Sequence, residues 1–425
     1  MLDRKTAPDT GVIDSVTFTK AEKITFKNGI DLYSINVGND EVTKLDVYFP
    51  AGIKQQQNLC VAAATNALIQ EGSKKYSAAE LADKFDFYGA FIQNSCGIQE
   101  ASYSLFTLNK HFKNSVILLQ EMLYNASFPE EETQIYQRGQ KQRLQISLQK
   151  NSVLARQAFY KSLFGKKHLL GMFAEPSDYD ALSGEQIAEF YQQSYHSNLP
   201  VLMLSGKVDD AILKNLEDAF SHLSGAVAQP PENLSAEPIK ARYEFIEKTD
   251  SLQAAIRIGK TTISRNHPDY RGLQLVNLIL GGYFGSRLMK NIREEKGLTY
   301  GIHSSLEAHN GVGVFSIATE VNNKDHAVAV EEIQKELDRM YNEFVSEQEL
   351  NKAKNYLLGS FVRSFDGPFA QADRFKILHD FDLPYSYYND FIQKILSVSI
   401  DDIKLLSNKY LNRNEMLTTV VGSSK

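Results

Sequence analysis

The sequence predicts an α+β fold built from two similar domains, each a mainly antiparallel sheet with helices packed on one face. Three observations carry this expectation. At 425 residues the chain exceeds the length at which one hydrophobic core keeps growing, so two cores are expected. The second half repeats landmarks of the first at a nearly constant separation. Both halves mix strands and helices without the strict alternation that produces a parallel sheet.

The repeat is read from paired landmarks. Gly72-Ser73 returns as Gly285-Ser286, Tyr88-Gly89 as Tyr300-Gly301, and Asn109-Lys110 as Asn323-Lys324. Towards the ends, Ser183, Ile187 and Gly206 return as Ser399, Ile403 and Gly422. Separations of 212 to 216 residues are far too long for a solenoid repeat and indicate a duplicated domain. Between the copies, residues 223–238 are rich in Pro, Ser and Ala, the composition of a linker. The expected boundaries are a first domain over 1–225, a linker over 226–240 and a second domain over 241–425.

Within each copy the elements follow in one order. Residues 44–53 and 252–261 are apolar at alternate positions and rich in β-branched side chains, so they read as the opening strands. In the first copy a helix follows from about Asn58 to Gln70, then the Gly72-Ser73 turn and a second helix ending at Tyr88-Gly89. A strand pair, a long amphipathic helix, further helices and a closing strand complete each copy. Val330, Ile333, Leu337 and Met340 recur at steps of three and four, the apolar stripe of a helix lying on a sheet. Segment 285–302 reads as a helix whose last turn carries Arg293, Glu294, Glu295 and Lys296, with Gly297 as the left-handed residue that ends it. The chain becomes extended at Tyr300, so Arg293 and Tyr300 are expected to project into one cavity. From spacing alone, Arg293 reads equally well as a helix-end cation paired with its glutamate neighbours. Tyr300 likewise reads as a half-buried strand tyrosine.

Composition excludes several functions. A formal net charge of -6 argues against nucleic acid or an anionic membrane as the main partner. Only Cys60 and Cys96 are present, at no metal-like spacing, so neither a disulfide scaffold nor a thiolate zinc site is expected, and both read as small buried hydrophobes. With no apolar run long enough for a signal peptide or a membrane span, the expected address is the cytoplasm, or the periplasm if the natural chain begins earlier. None of the nine histidines has another three or four residues away, so no helix face offers a metal two imidazoles. The stretch 280–288 is glycine-rich but lacks the lysine and hydroxyl of a phosphate loop, and no G-x-S-x-G is present.

Segment 285–302, together with the duplication, resembles the pitrilysin/insulinase peptidases. This is the inverted-motif zinc family that includes the mitochondrial processing peptidase and the core proteins of the bc1 complex. The likeness covers nearly the whole chain and implies the two-domain fold of the processing peptidase. It also implies that Arg293 grips substrate backbone carbonyls and that the Tyr300 hydroxyl stabilises the oxyanion. In that family the first helix carries H-x-x-E-H, two zinc-binding histidines and a general base. Aligned at the Gly-Ser turn, this chain has Ala63 and Ala67 at the histidine positions, Asn66 at the base, and the third ligand falls near Gln145. Alanine offers zinc no lone pair, and neither amide is a base at neutral pH. The resemblance therefore implies a non-catalytic half of a two-chain peptidase that binds no cofactor itself. Zinc would sit in a homologous partner with an intact motif, and substrates would be peptides added as strands to a sheet edge. Self-association into a catalytically silent structural or peptide-holding protein, comparable to the bc1 core subunits, is the alternative.

Overall fold

The computed structural model describes residues 11, 13–227, 232–236 and 242–424. Two sheets organise the chain. The first contains β1 (Glu22–Thr25), β2 (Asp31–Asn36), β3 (Val42–Phe49), β4 (Phe91–Cys96), β5 (Ala101–Leu108) and β6 (Val201–Gly206). The second contains β7 (Arg242–Glu247), β8 (Gln253–Thr262), β9 (Ile302–His309), β10 (Val312–Asn322) and β11 (Leu417–Gly422).

The strand orders are β1-β2-β6-β3-β5-β4 and β7-β11-β8-β10-β9. With β1 set aside, they superpose element by element: β2 answers to β7, β3 to β8, β4 to β9, β5 to β10 and β6 to β11. In both sheets only the β2/β6-type pair is parallel, Leu32 facing Leu202 in one and Leu417 facing Arg242 in the other. The duplication is thus a duplication of topology. The strands predicted to open each copy are preceded by β2 and β7, whose short runs were not singled out in the sequence.

Helices of the first half are α1 (Val61–Leu68), α2 (Ala78–Phe87), α3 (Phe112–Tyr124), α4 (Glu130–Ser147), α5 (Asn151–Phe164), α6 (Pro176–Asp180), α7 (Gly184–Tyr191) and α8 (Asp210–Phe220). Those of the second are α9 (Tyr270–Asn277), α10 (His326–Asn342), α11 (Glu347–Arg363), α12 (Gly367–Asp380), α13 (Tyr387–Ser397) and α14 (Ile400–Tyr410). Repeated sequence landmarks prove to be repeated helix punctuation. Ser183 and Ser399 each cap a helix and form a capping box with Gln186 and Asp402, satisfying amide donors that the first turn leaves free. Gly206 and Gly422 lie where a β-carbon would meet Val42 O at 2.3 Å and Ala254 Cβ at 2.7 Å. Both copies need a residue without a side chain at that close approach.

Alternation along the central strands divides each sheet into two faces. Leu45, Val47 and Phe49 of β3 point into a core completed by Val61, Leu68, Val116, Leu119, Ile187 and Leu216. In the second half Ala254, Ile256 and Ile258 of β8 meet Leu273, Ile333, Leu337, Ile392 and Ile403. The predicted α10 stripe of Val330, Ile333, Leu337 and Met340 is buried.

The opposite faces are covered by an exchange of helices between the halves. From α5, Ala155 packs on Ala255 and Val421, and Phe159 and Leu163 join Val312, Val314 and Leu417 of the second sheet. From α12, Ala372 and Phe375 pack on Ile35 and Met203 of the first. These helices occupy corresponding places in the repeat, Asn151–Phe164 against Gly367–Asp380. Polar ties reinforce the exchange. Lys44 on β3 bonds Asp373 at 2.8 Å, Lys376 bonds Glu100 at 2.6 Å, and Tyr160 donates to Glu307 at 2.6 Å. Burial pushes the Asp46 carboxyl up, with Lys44 opposing. Burial also acts on Asp380, but His379 and Lys376 outweigh it and hold that carboxyl below its usual range.

The predicted linker 226–240 lies partly outside the described residues. In its described part, Glu232 N–H donates to Gln99 at 2.6 Å and Leu234 N–H to the Asn310 carbonyl at 2.6 Å. That stretch is therefore fastened to both halves.

Candidate functional site

Helix α1 starts at Cys60, held in a left-handed conformation with φ of 73°, and runs beside α4 and β4. Ala63 and Ala67, one turn apart and so on one side of the helix, are the half-exposed positions, while their neighbours are buried. Asn66 is 2% exposed. Its Oδ1 accepts from Asn94 Nδ2 at 2.9 Å, and its carbonyl accepts from the Tyr103 hydroxyl at 2.6 Å. The side-chain oxygen thus ties α1 to β4, and the backbone carbonyl ties it to β5. Gln145 lies exposed on α4. Among the described residues no group of three or more His, Cys, Asp or Glu is placed to hold a metal ion.

The two cysteines differ from expectation in one respect. Cys60 is buried as predicted, but Cys96 is only half-buried, because it ends the edge strand β4. Burial pushes both thiols up, Cys96 to about 11, which leaves them unreactive near neutrality.

The second half presents the other predicted residues. After the Gly285-Ser286 turn the chain forms a helix whose part Met289–Glu295 is wound as a π-helix, wider than the predicted α-turn. Lys296 N–H reaches back to the Asn291 carbonyl at 2.9 Å and Leu298 N–H to Ile292 at 3.0 Å. Gly297 takes φ of 64° between them, the left-handed stop read from the sequence. The strand-entry loop is then pinned to β10. Thr299 Oγ1 donates to the Glu320 carbonyl at 2.8 Å, and Thr319 Oγ1 donates to the Gly301 carbonyl at 2.9 Å. Fixed on both sides, Tyr300 is turned outward and is 94% exposed, so it is not the half-buried strand residue that spacing alone allows.

Tyr300 stands at a cavity of about 280 Å³ between the start of α5 and the second sheet. Ser152, Arg257, His303 and Glu320 share its wall. Arg293 is not among its lining residues. Its guanidinium lies 4.8 Å from the centre of the Phe284 ring, a cation–π contact, and it makes no ion pair with Glu294 or Glu295. The π-turn changes where successive side chains point relative to an α-helix. Sequence reasoning missed Arg257 and His303. Their only signal is cross-strand register: Arg257, Ala318 and His303 form one row across β8, β10 and β9.

The fold, two copies of one α+β unit, has known counterparts. Residues 181–357 match the family described as Peptidase M16 inactive domain. A relative from Bacillus subtilis (strain 168), "Uncharacterized zinc protease YmxG", is 21% identical over 72% of this chain and 74% of its own. "Non-peptidase homolog YmxG" of Helicobacter pylori is 22% identical over 88% and 87%. The solved peptidase M16 inactive domain from Pseudomonas fluorescens superposes with a TM-score of 0.84 at 24% identity, over 95% of this chain and 98% of that one. The chain is thus similar to zinc proteases and to their inactive or non-peptidase homologues. Its family resemblance is to the pitrilysin-type, or M16, peptidases. Among the described residues no helix is long and apolar enough to cross a membrane.

Proposed function

We propose that this chain is the non-catalytic subunit of a two-chain zinc peptidase, closing a peptide chamber and presenting Tyr300 to substrate bound on a zinc-bearing homologue. The observation that carries the proposal is the contrast between its two halves. The α1 face offers metal only Ala63 and Ala67, whereas Tyr300 is held outward by a loop fastened to β10 on both sides. A fastened backbone reduces the cost of positioning the Tyr300 hydroxyl when a carbonyl becomes an oxyanion. Arg293 enters as a substrate-binding residue that must leave Phe284 to reach a peptide backbone.

The zinc, and the water it activates, would come from the partner. The alternative, a catalytically silent peptide-holding protein, draws support from Arg293 resting on Phe284 rather than beside Tyr300. The test is peptide hydrolysis by the protein mixed with a homologue from the same host that carries H-x-x-E-H. Tyr300→Phe is expected to lower kcat by roughly ten- to a thousandfold, the loss of one oxyanion donor. Unchanged kcat in the variant would remove Tyr300 from the chemistry, and no hydrolysis by the mixture would favour the silent reading.

A further inference from the structure

The cavity beside Tyr300 contains a cation with nothing to hold. Arg257 projects from the centre of β8 on the face that receives α5, yet among the described residues its guanidinium makes no hydrogen bond and no ion pair. Arginine is seldom left unpaired where it is largely removed from water, because its five donors lose solvent without replacement. Burial, with the Arg156 cation, pulls the Arg257 pKa down, and Tyr160 and Glu307 do not compensate. Glu307 is engaged by the Tyr160 hydroxyl at 2.6 Å.

The surroundings favour an anion on the cavity side. His303 lies in the same cross-strand row as Arg257 and is kept below its ordinary pKa by burial and by that guanidinium, so at neutral pH it can donate a hydrogen bond without carrying charge. Helix α5 begins at Asn151 with no side-chain cap, and Ser152 in its first turn lines the cavity. The amides of Asn151 and Ser152 have no helix partner, while those of Val153 and Leu154 are bonded to the Lys150 carbonyl, so the positive end of the helix dipole lies at this wall. Tyr300 supplies a further hydroxyl at the mouth.

The charge balance limits what fits. Glu320 also lines the wall, and Glu307 and Arg156 act on Arg257 with opposite sign, so the region suits one carboxylate better than a phosphate dianion. The volume, about 280 Å³, falls just below that of small-molecule sites, which run from about 300 to 1,000 Å³. It has room for the end of a chain but not for a folded partner. β9, which carries His303, is the outer strand of its sheet, so an extended peptide can lie along it with its terminus in the cavity.

We propose that Arg257, with His303, Ser152 and Tyr300, forms a pocket for the C-terminal carboxylate of a peptide, held at the junction of α5 and the second sheet. The proposal takes from the preceding reading only that the ligand is a peptide. It gives that reading a direction: the chain captures peptides by their carboxyl end.

The test uses the isolated protein and fluorescence anisotropy of one short peptide, dye-labelled at its N-terminus, in three forms. These are the free C-terminal acid, the C-terminal amide, and an amide whose last residue is glutamate. The free acid is expected to bind about tenfold or more tighter than either amide, as the loss of a charge-assisted pair predicts. Arg257→Gln should abolish that preference, and Arg257→Lys should keep part of it. Because Arg257 makes no hydrogen bond or ion pair among the described residues, Arg257→Gln should retain the wild-type circular dichroism. Equal binding of acid and amide by the wild-type protein overturns the proposal without reliance on any variant. So does absence of binding, a glutamate amide that binds as well as the acid, or a preference that survives in Arg257→Gln. No zinc chain is present in this assay, so failure of the two-chain reading in the hydrolysis experiment and failure of this pocket are separately visible.

Discussion

Exchange of α5 and α12 makes a definite claim about cooperativity, and Phe159→Ala probes it. Phe159 is fully buried; it belongs to the first half but packs among Val312, Val314 and Leu417 of the second sheet. Truncating a fully buried phenylalanine removes its transfer free energy and leaves a cavity, together about 3–5 kcal/mol. In urea, with a slope somewhat above about 3 kcal/mol/M for a chain of this size, the midpoint should fall by about 1 M. Duplicated domains joined by a linker alone would unfold in separate steps. Here each half lacks the cover of one sheet face without the other, so a single transition is expected, and Phe159→Ala should move all of it. The sequence contains no tryptophan, so far-ultraviolet circular dichroism and tyrosine fluorescence are the probes. Phe375→Ala, at the equivalent place on α12, should act in the same way with a similar magnitude. Two resolved transitions, of which Phe159→Ala shifts only one, would refute the reasoning.

Two further outcomes follow from local chemistry. Asp269 accepts hydrogen bonds from Lys409 at 2.6 Å and from the Tyr410 hydroxyl at 2.7 Å, and these bonds hold its carboxyl below the ordinary value of 3.8. A folded-state pKa below the unfolded one gives stability that is present above 3.8 and is lost as pH falls through the folded value. Asp269→Asn should therefore flatten the acid limb of a stability-against-pH curve measured by thermal unfolding, and an unaltered limb would contradict the assignment. Ala63→His/Ala67→His places two imidazoles on one side of α1 and should confer measurable zinc affinity in a competition assay with a metallochromic dye. No gain would mean that the degenerate site has been aligned in the wrong register.

What the sequence made legible depended on local chemistry. Gly297 could be assigned as a helix stop because only glycine takes a left-handed backbone there without penalty. The α10 stripe and the central strands could be read because their periods are set by burial on one face. The expectation that zinc chemistry is lost rests on alanine at 63 and 67, whose side chain offers a metal no lone pair. Long-range placement was not legible. Nothing within Asn151–Phe164 says that it leaves its own half. Its Ala155, Phe159 and Leu163 would suit either sheet, and the choice is made by the surfaces it meets.

The π-turn at Met289–Glu295 shows a second limit. The spacing between Arg293 and Tyr300 carries information about a shared wall only if the helix keeps an α-helical turn. Arg257 was invisible for a related reason: it sits between Ile256 and Ile258 in its strand, and its neighbours His303 and Ala318 are set by strand register across distant segments.

The central claim is that this polypeptide has no metal-activated water of its own. The most direct measurement is zinc content by mass spectrometry on the isolated protein, paired with hydrolysis of a fluorogenic peptide library before and after chelation. The account predicts no stoichiometric zinc and no chelator-sensitive cleavage. One zinc ion per chain, together with peptide cleavage that disappears on chelation and returns on adding zinc, would contradict it.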